Sequence, residues 1–200
     1  MKRILCCAFF VLSAMSSAMV LAEQSVSCDG HALDERYANM LEYDQKLRNI
    51  YTGLLWSAKA GKLSGLHEQR VIMGQEIQHI DLVNQSELDA ITKQCGWPGS
   101  PVFFTSRLAT AFFVVQHADL DYQLRYLPLI EESVRKKEIP MNAFAMLEDR
   151  ILIRQGKGQK YGTQYYTNDQ GVSELLPVAD GDHLNERRLA IGLTVMAGFP

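Results

Sequence analysis

One apolar stretch, Val102 to Ala118, limits most strongly how this chain can fold. It contains Phe103, Phe104, Phe112 and Phe113, and on a helix its apolar side chains fall on nearly every side. A helix that is apolar all round has to be covered by neighbouring elements. We therefore place this helix at the centre of a bundle.

The rest of the chain supplies amphipathic helices to cover it, with apolar residues recurring at intervals of three and four. Pro128 marks a kink or a break in one of them. After Arg154 the periodicity changes, and residues 161–167 and 172–178 read as two short strands joined by a turn at 168–171. The predicted helices cover approximately 33–55, 66–83, 86–95, 102–118, 119–137, 140–154 and a last segment from about 184. The fold class is thus mainly α, with six or seven helices and a small β-hairpin before the last one.

The first 22 residues have the pattern of an export leader. Lys2 and Arg3 precede an apolar core, and Val20-Leu21-Ala22 fits the small-residue pattern before a cleavage point. The alternative is an uncleaved N-terminal anchor. We expect a leader at residues 1–22, a single domain at residues 23–200, and a periplasmic or secreted location.

Charge excludes two classes of partner. Loss of Lys2 and Arg3 with the leader would change the formal net charge from −3 to −5. A mildly acidic domain has no electrostatic footprint for nucleic acid or for an anionic membrane surface. Beyond the leader, no apolar run approaches the roughly 20 residues that a membrane helix needs. The expected partner is a small polar ligand or a protein.

Cysteine usage supports export. Cys6 and Cys7 leave with the leader, so Cys28 and Cys95 remain as a single pair. A lone pair in an exported chain is most simply one disulfide. Lipid attachment at Cys28 is the alternative. Neither cysteine has a second ligand at zinc spacing, and we expect no metal and no cofactor.

Two titratable residues are the candidates for chemistry. His117 follows Phe113 by one helical turn, so it extends a largely apolar face. Asp149 lies at helical spacing from Ala145 and Leu152, where a carboxylate needs a cation or several donors to stay ionised. Asp149 is as typical of an acid–base site as of a buried ion pair, whereas a histidine in the position of His117 is more often a hydrogen-bonded structural residue than a catalyst.

Polar residues near these two are the candidates for ligand binding. We expect His117, Asp149, Gln164 and one C-terminal arginine to converge on one pocket, the arginine holding Asp149 ionised. The function predicted from this cleft is binding of a small polar ligand or partner. The alternative is a periplasmic hydrolase or transferase that uses acid–base chemistry at His117 and Asp149. The predicted ligand-binding residues are Gln116, Arg150, Gln159, Tyr161, Gln164, Arg187 and Arg188.

At these residues the chain resembles an uncharacterised bacterial family, a domain of unknown function. The resemblance covers roughly residues 30 to 195 and implies that the motif residues form one feature, but it implies no activity. The matching motifs are Gly96-Trp97-Pro98, Gln116-His117-Ala118-Asp119, Asp149-Arg150-Ile151, Gln159-x-Tyr161-Gly162-Thr163-Gln164, Arg187-Arg188 and Gly192-Leu193.

Removal of the leader has a direct test. Exported protein should begin at Glu23, because cleavage after Ala22 fits the small-residue rule. N-terminal sequencing of material from the periplasm or medium measures this. A chain that still begins at Met1, or a lipid on Cys28, would contradict the prediction.

Overall fold

The computed structural model describes residues 26–59, 66–167 and 172–200. Within these ranges the chain is mainly α, as predicted, with a two-stranded antiparallel hairpin before the last helix. The predicted leader, residues 60–65 between the first two predicted helices, and the predicted turn at 168–171 lie outside the described residues. The helices are α1 (Gly30–Lys59), α2 (Leu66–Cys95), α3 (Arg107–His117), α4 (Leu120–Arg135), α5 (Met141–Arg154) and α6 (Leu184–Ala190), and the strands are β1 (Tyr165–Thr167) and β2 (Ser173–Leu175).

The central helix is α3, and it is shorter than the apolar stretch predicts. It begins at Arg107 because the Ser106 side chain accepts a hydrogen bond from the Ala109 N–H at 3.3 Å, which caps the helix. Phe103 lies before the helix but still enters the core, with its ring centroid 5.5 Å from that of Phe112. Burial of nearly the whole α3 surface is therefore confirmed.

Helices α1 and α2 form an antiparallel pair against α3. Cys28 and Cys95 are joined by a disulfide with Cα atoms 5.5 Å apart, which confirms the predicted pairing. The predicted interruption of α2 near residue 84 is wrong. Asn84 is buried and its amide donates to the Met40 carbonyl of α1 at 3.1 Å, so the polar side chain serves helix packing and the helix continues.

Helices α4 and α5 complete the bundle. Asp119 is the N-cap of α4, and its carboxylate accepts a hydrogen bond from the Tyr122 N–H at 2.8 Å. The break considered at Pro128 does not occur, because the proline lies inside one continuous helix. Within the described ranges, no helix combines the length and apolarity needed to cross a membrane.

The C-terminal part is more irregular than the sequence predicts. Only three residues of each predicted strand pair, from Tyr165 opposite Leu175 to Thr167 opposite Ser173. The segment 159–164 is instead a loop that lies against α5. The last helix ends at Ala190, before the positive-φ residue Gly192.

The disulfide should contribute strongly to stability. It closes a sequence separation of 67 residues, for which the chain-entropy account gives about 4 kcal/mol. We expect the double variant Cys28→Ser/Cys95→Ser to lose about this much free energy of unfolding in urea denaturation. Reduced wild-type protein is the matched control and should behave like the variant. An unchanged unfolding midpoint in both would contradict the expectation.

Candidate functional site

His117 is the last residue of α3, where the helix leaves the core. Its ring stacks on Phe113, with centroids 6.3 Å apart, and its side chain is 15% exposed. Nδ1 lies 2.8 Å from Oδ1 of Asp44, which comes from the middle of α1. The ring is therefore fixed on one side by a carboxylate that the sequence analysis did not single out.

Asp44 is an ionised carboxylate in an almost dry position. Its side chain is 2% exposed, and Oδ1 also accepts a hydrogen bond from Arg48 Nε at 3.1 Å. Burial raises the pKa of Asp44, but the hydrogen bond to His117 and the charge of Arg48 lower it more, so the pKa lies below its ordinary value. Because the carboxylate is ionised at neutral pH, the proton in the 2.8 Å contact belongs to His117 Nδ1.

Arg48 joins this pair to α2. Its Nη2 contacts Asp81 Oδ1, and its Nε lies 3.0 Å from His117 Nδ1. Since that ring nitrogen already carries a proton directed at Asp44, Nε donates to the carboxylate instead. Burial raises the pKa of Asp81 above its ordinary value, although the charge of Arg48 opposes the shift. One guanidinium thus balances two acidic side chains.

Asp44, Asp81 and His117 form a group of described side chains that could hold a metal ion. One ligand atom each from Asp44, Asp81 and His117 lies within 4.8 Å of the others. Carboxylate and imidazole groups ligate several divalent metals. However, the guanidinium of Arg48 lies among these atoms and contacts all three residues. A cation would have to displace it.

Asp149 has a different environment from the one expected. It is fully buried on α5, and its oxygens accept hydrogen bonds from the main-chain N–H groups of Lys160, Tyr161 and Thr163 at 2.6, 3.0 and 3.0 Å. The Thr163 hydroxyl donates at 2.9 Å. The expectation that an arginine holds this carboxylate is therefore wrong. The donors come from the main chain of loop 160–163 instead.

Arg187 and Arg188 hold the same loop from its other side. Arg187 Nε donates to the Lys160 carbonyl at 2.8 Å, and Arg188 Nη1 donates to the Tyr161 carbonyl at 2.6 Å. Asp149 takes the N–H groups of the loop while the two arginines take its carbonyls. These three predicted site residues consequently meet around the backbone of one loop.

Gln159 and Gln164 carry the network from that loop to α3. Gln159 is fully buried, and its amide exchanges hydrogen bonds with the main chain of Gln164 at 2.7 and 3.0 Å. This fixes Gln164, whose Oε1 accepts from Arg150 Nε at 3.1 Å. Arg150 Nη1 in turn donates to the Gln116 carbonyl at 2.8 Å, next to His117.

The predicted site residues therefore fall into two linked groups. The structure brings Gln116, His117, Arg150 and Gln164 together at the end of α3. It places Asp149, Arg187, Arg188 and Tyr161 around loop 160–163. Gln159 and Gln164 connect the two groups, and His117 and Asp149 do not share a hydrogen bond.

Asp44, Arg48 and Asp81 are missing from the sequence prediction. A signal for two of them was present, since Asp44 and Arg48 follow Met40 at intervals of four on the apolar stripe of α1. An oppositely charged pair in that position has to face the core. Asp81 offers no comparable signal.

Two surface cavities lie elsewhere. A groove of about 420 Å³ runs between α1 and α2 and is lined by Tyr43, Asn84 and Glu87 among others. A depression of about 290 Å³ lies at the start of α4, beside Asp119 and Arg125. Neither is lined by His117, so the candidate site is assigned from its hydrogen bonds and charges.

Comparison with known proteins places the chain in a family. The model of DUF6624, a family of unknown function, matches residues 32–199, so the chain belongs to this family. Neither the curated proteins nor the solved structures include a significant match to this chain.

The role of Asp149 has a direct test. Asp149→Asn replaces an acceptor oxygen by an amide N–H that faces main-chain donors, so we expect a loss of about 3 kcal/mol of unfolding free energy. Urea denaturation measures it. Glu148→Gln is the matched control: it removes only an exposed ion pair with Lys160, worth less than about 1 kcal/mol. Equal stability of the two variants would contradict a structural role for Asp149.

Proposed function

As a member of a family of unknown function, this protein has to be interpreted from its site, and we propose that it binds a small polar ligand beside His117. One observation carries the proposal. Asp44 holds Nδ1 of His117, and Nε2 has no hydrogen-bond partner among the described residues. The side chain is 15% exposed, so solvent can reach it. An oriented imidazole with one open nitrogen is suited to bind or to exchange a proton.

Polar side chains at the end of α3 support a polar ligand rather than an apolar one. Arg150 and Gln164 lie at the same end of α3 and are both half-buried. Their side chains are held in place by hydrogen bonds, so little ordering entropy would be lost on binding. A ligand with hydrogen-bonding groups could contact them together with His117.

A second candidate is a hydrolase or transferase that uses acid–base chemistry. The Asp44–His117 pair supports it, because a buried carboxylate that fixes the tautomer of a histidine is the usual support for a general base. In this reading Nε2 of His117 accepts a proton from a water molecule or a substrate hydroxyl. The orienting carboxylate is Asp44, since the oxygens of Asp149 are occupied by loop 160–163.

The proposed compartment is the periplasm or the exterior. The basic and apolar start of the chain supports export, and so does the disulfide between Cys28 and Cys95. Disulfides persist in oxidising compartments and are rare in the cytosol. The ligand would therefore be one that is met outside the cytoplasm.

The proposal is tested with His117→Asn. A thermal-shift screen of mature protein against small sugars, amino acids, hydroxy acids and sugar phosphates should give at least one compound that raises Tm by about 5 °C near 100 times its Kd. The shift should be lost in His117→Asn and kept in His79→Asn, an exposed control on α2.

Product analysis by NMR with the same compounds and their esters separates the two candidates. Turnover that is lost in His117→Asn supports the hydrolase or transferase, and saturable binding without turnover supports the binding protein. Compounds that bind wild type and His117→Asn equally would exclude this site.

A further inference from the structure

Two arginines of α5 flank His117. Arg150 Nη1 donates to the Gln116 carbonyl at 2.8 Å, and Arg154 Nη1 donates to the carbonyl of Ala118. The two acceptors are the residues directly before and after His117. The guanidinium groups are one helical turn apart on α5, so they lie on the same face.

These guanidinium groups have no acidic partner. Among the described residues, no carboxylate oxygen lies within 4.0 Å of Arg150 or Arg154. The two acidic side chains of the neighbouring network, Asp44 and Asp81, are both bound by Arg48. Arg150 is half-buried, and burying a cation without a counter-ion is costly, so a ligand that supplies the opposite charge would stabilise it.

The pKa values of both arginines are lowered, as expected for cations without an acidic partner. The pKa of Arg150 is lowered to about 10, first by burial and then by the charges of Arg154 and Arg48, while the charge of Asp81 opposes the shift. Burial also lowers the pKa of Arg154, with Asp119 and Asp81 opposing the shift. Both groups stay charged at neutral pH and repel each other.

Capping the end of α3 leaves some N–H donors of Arg150 and Arg154 free. The carbonyls at the end of a helix attract cations, and each guanidinium donates one N–H to them. An arginine carries five N–H donors, and Arg150 uses one more on Gln164. Donors therefore remain on both groups, and Arg154 is exposed to solvent.

We propose that the ligand bound beside His117 carries an oxyanion, either a carboxylate or a phosphate, and that Arg150 and Arg154 bind this group. The inference rests on the proposed function and adds the chemical class of the ligand. Paired guanidinium groups match the oxygens of both anions and bind them with charge-assisted hydrogen bonds. The anion would lie at the end of α3, where His117 could donate or accept a hydrogen bond with the rest of the ligand or exchange a proton with it.

The test uses simple probes on the mature protein at constant pH and ionic strength. Sodium acetate, its neutral analogue acetamide, and inorganic phosphate are titrated separately, while the His117 ring is followed by ¹H–¹³C NMR. We expect saturable shifts with at least one anion at millimolar concentration and none with acetamide. Saturation by acetate alone identifies a carboxylate site, and saturation by phosphate alone identifies a phosphate site.

Variants of the arginines complete the test. Arg150→Met and Arg154→Met should each weaken anion binding at least tenfold, whereas Arg135→Met, which removes an exposed arginine at the end of α4, should leave it unchanged. If Arg150→Met does not fold, Arg154→Met alone decides, because its side chain is exposed.

Three results would overturn the inference: no saturable shift with either anion, anion binding that survives both substitutions, or saturation by acetamide alone. In the last case His117 still binds a polar ligand, so the proposed function survives without the anion. The screen with His117→Asn remains an independent test of that function.

Discussion

Asp149 is buried away from water, so its oxygens need hydrogen-bond donors. The donors that it receives determine how the chain runs after α5. Loop 160–163 turns its N–H groups toward α5 to satisfy it. Those groups are then lost to a sheet, which is why strand pairing begins only at Tyr165. Gly162 allows the turn, since its φ of +66° is unfavourable for other residues.

Order spreads from this loop to the candidate site by direct contacts. The Gln164 amide donates to the Thr163 hydroxyl of the loop, Gln164 accepts a hydrogen bond from Arg150, and Arg150 reaches the end of α3 beside His117. The imidazole itself is fixed by Asp44 from α1. The end of α3 is thus contacted both by the first helix and by α5, two parts of the chain that are far apart in sequence. A site assembled in this way depends on the whole bundle being folded.

Much of the architecture can be predicted from the sequence, because α3 is apolar on nearly every side and therefore has to be buried. The boundaries do not follow as well, since Ser106 and Asn84 have a capping or packing role that depends on neighbours. For the site, His117 stands out at the end of an apolar face. The partners of Asp149 could not be predicted, because they are main-chain N–H groups that every residue except proline possesses. Asp44 and Arg48 could have been predicted, because they are charged residues at positions that belong to the apolar stripe of α1.

The disulfide has a consequence for the geometry between α1 and α2. It pins the two antiparallel helices together at one end, while Asp44 and Asp81 lie roughly 24 Å and 21 Å along them at 1.5 Å per residue. Arg48 and Asp44 both belong to α1, so it is the contact between Arg48 and Asp81 that depends on how the two helices are aligned lengthwise. Oxidation of the two cysteines to a disulfide therefore limits how far α1 can slide along α2. In this way the disulfide sets the alignment of a charge cluster that it does not contact.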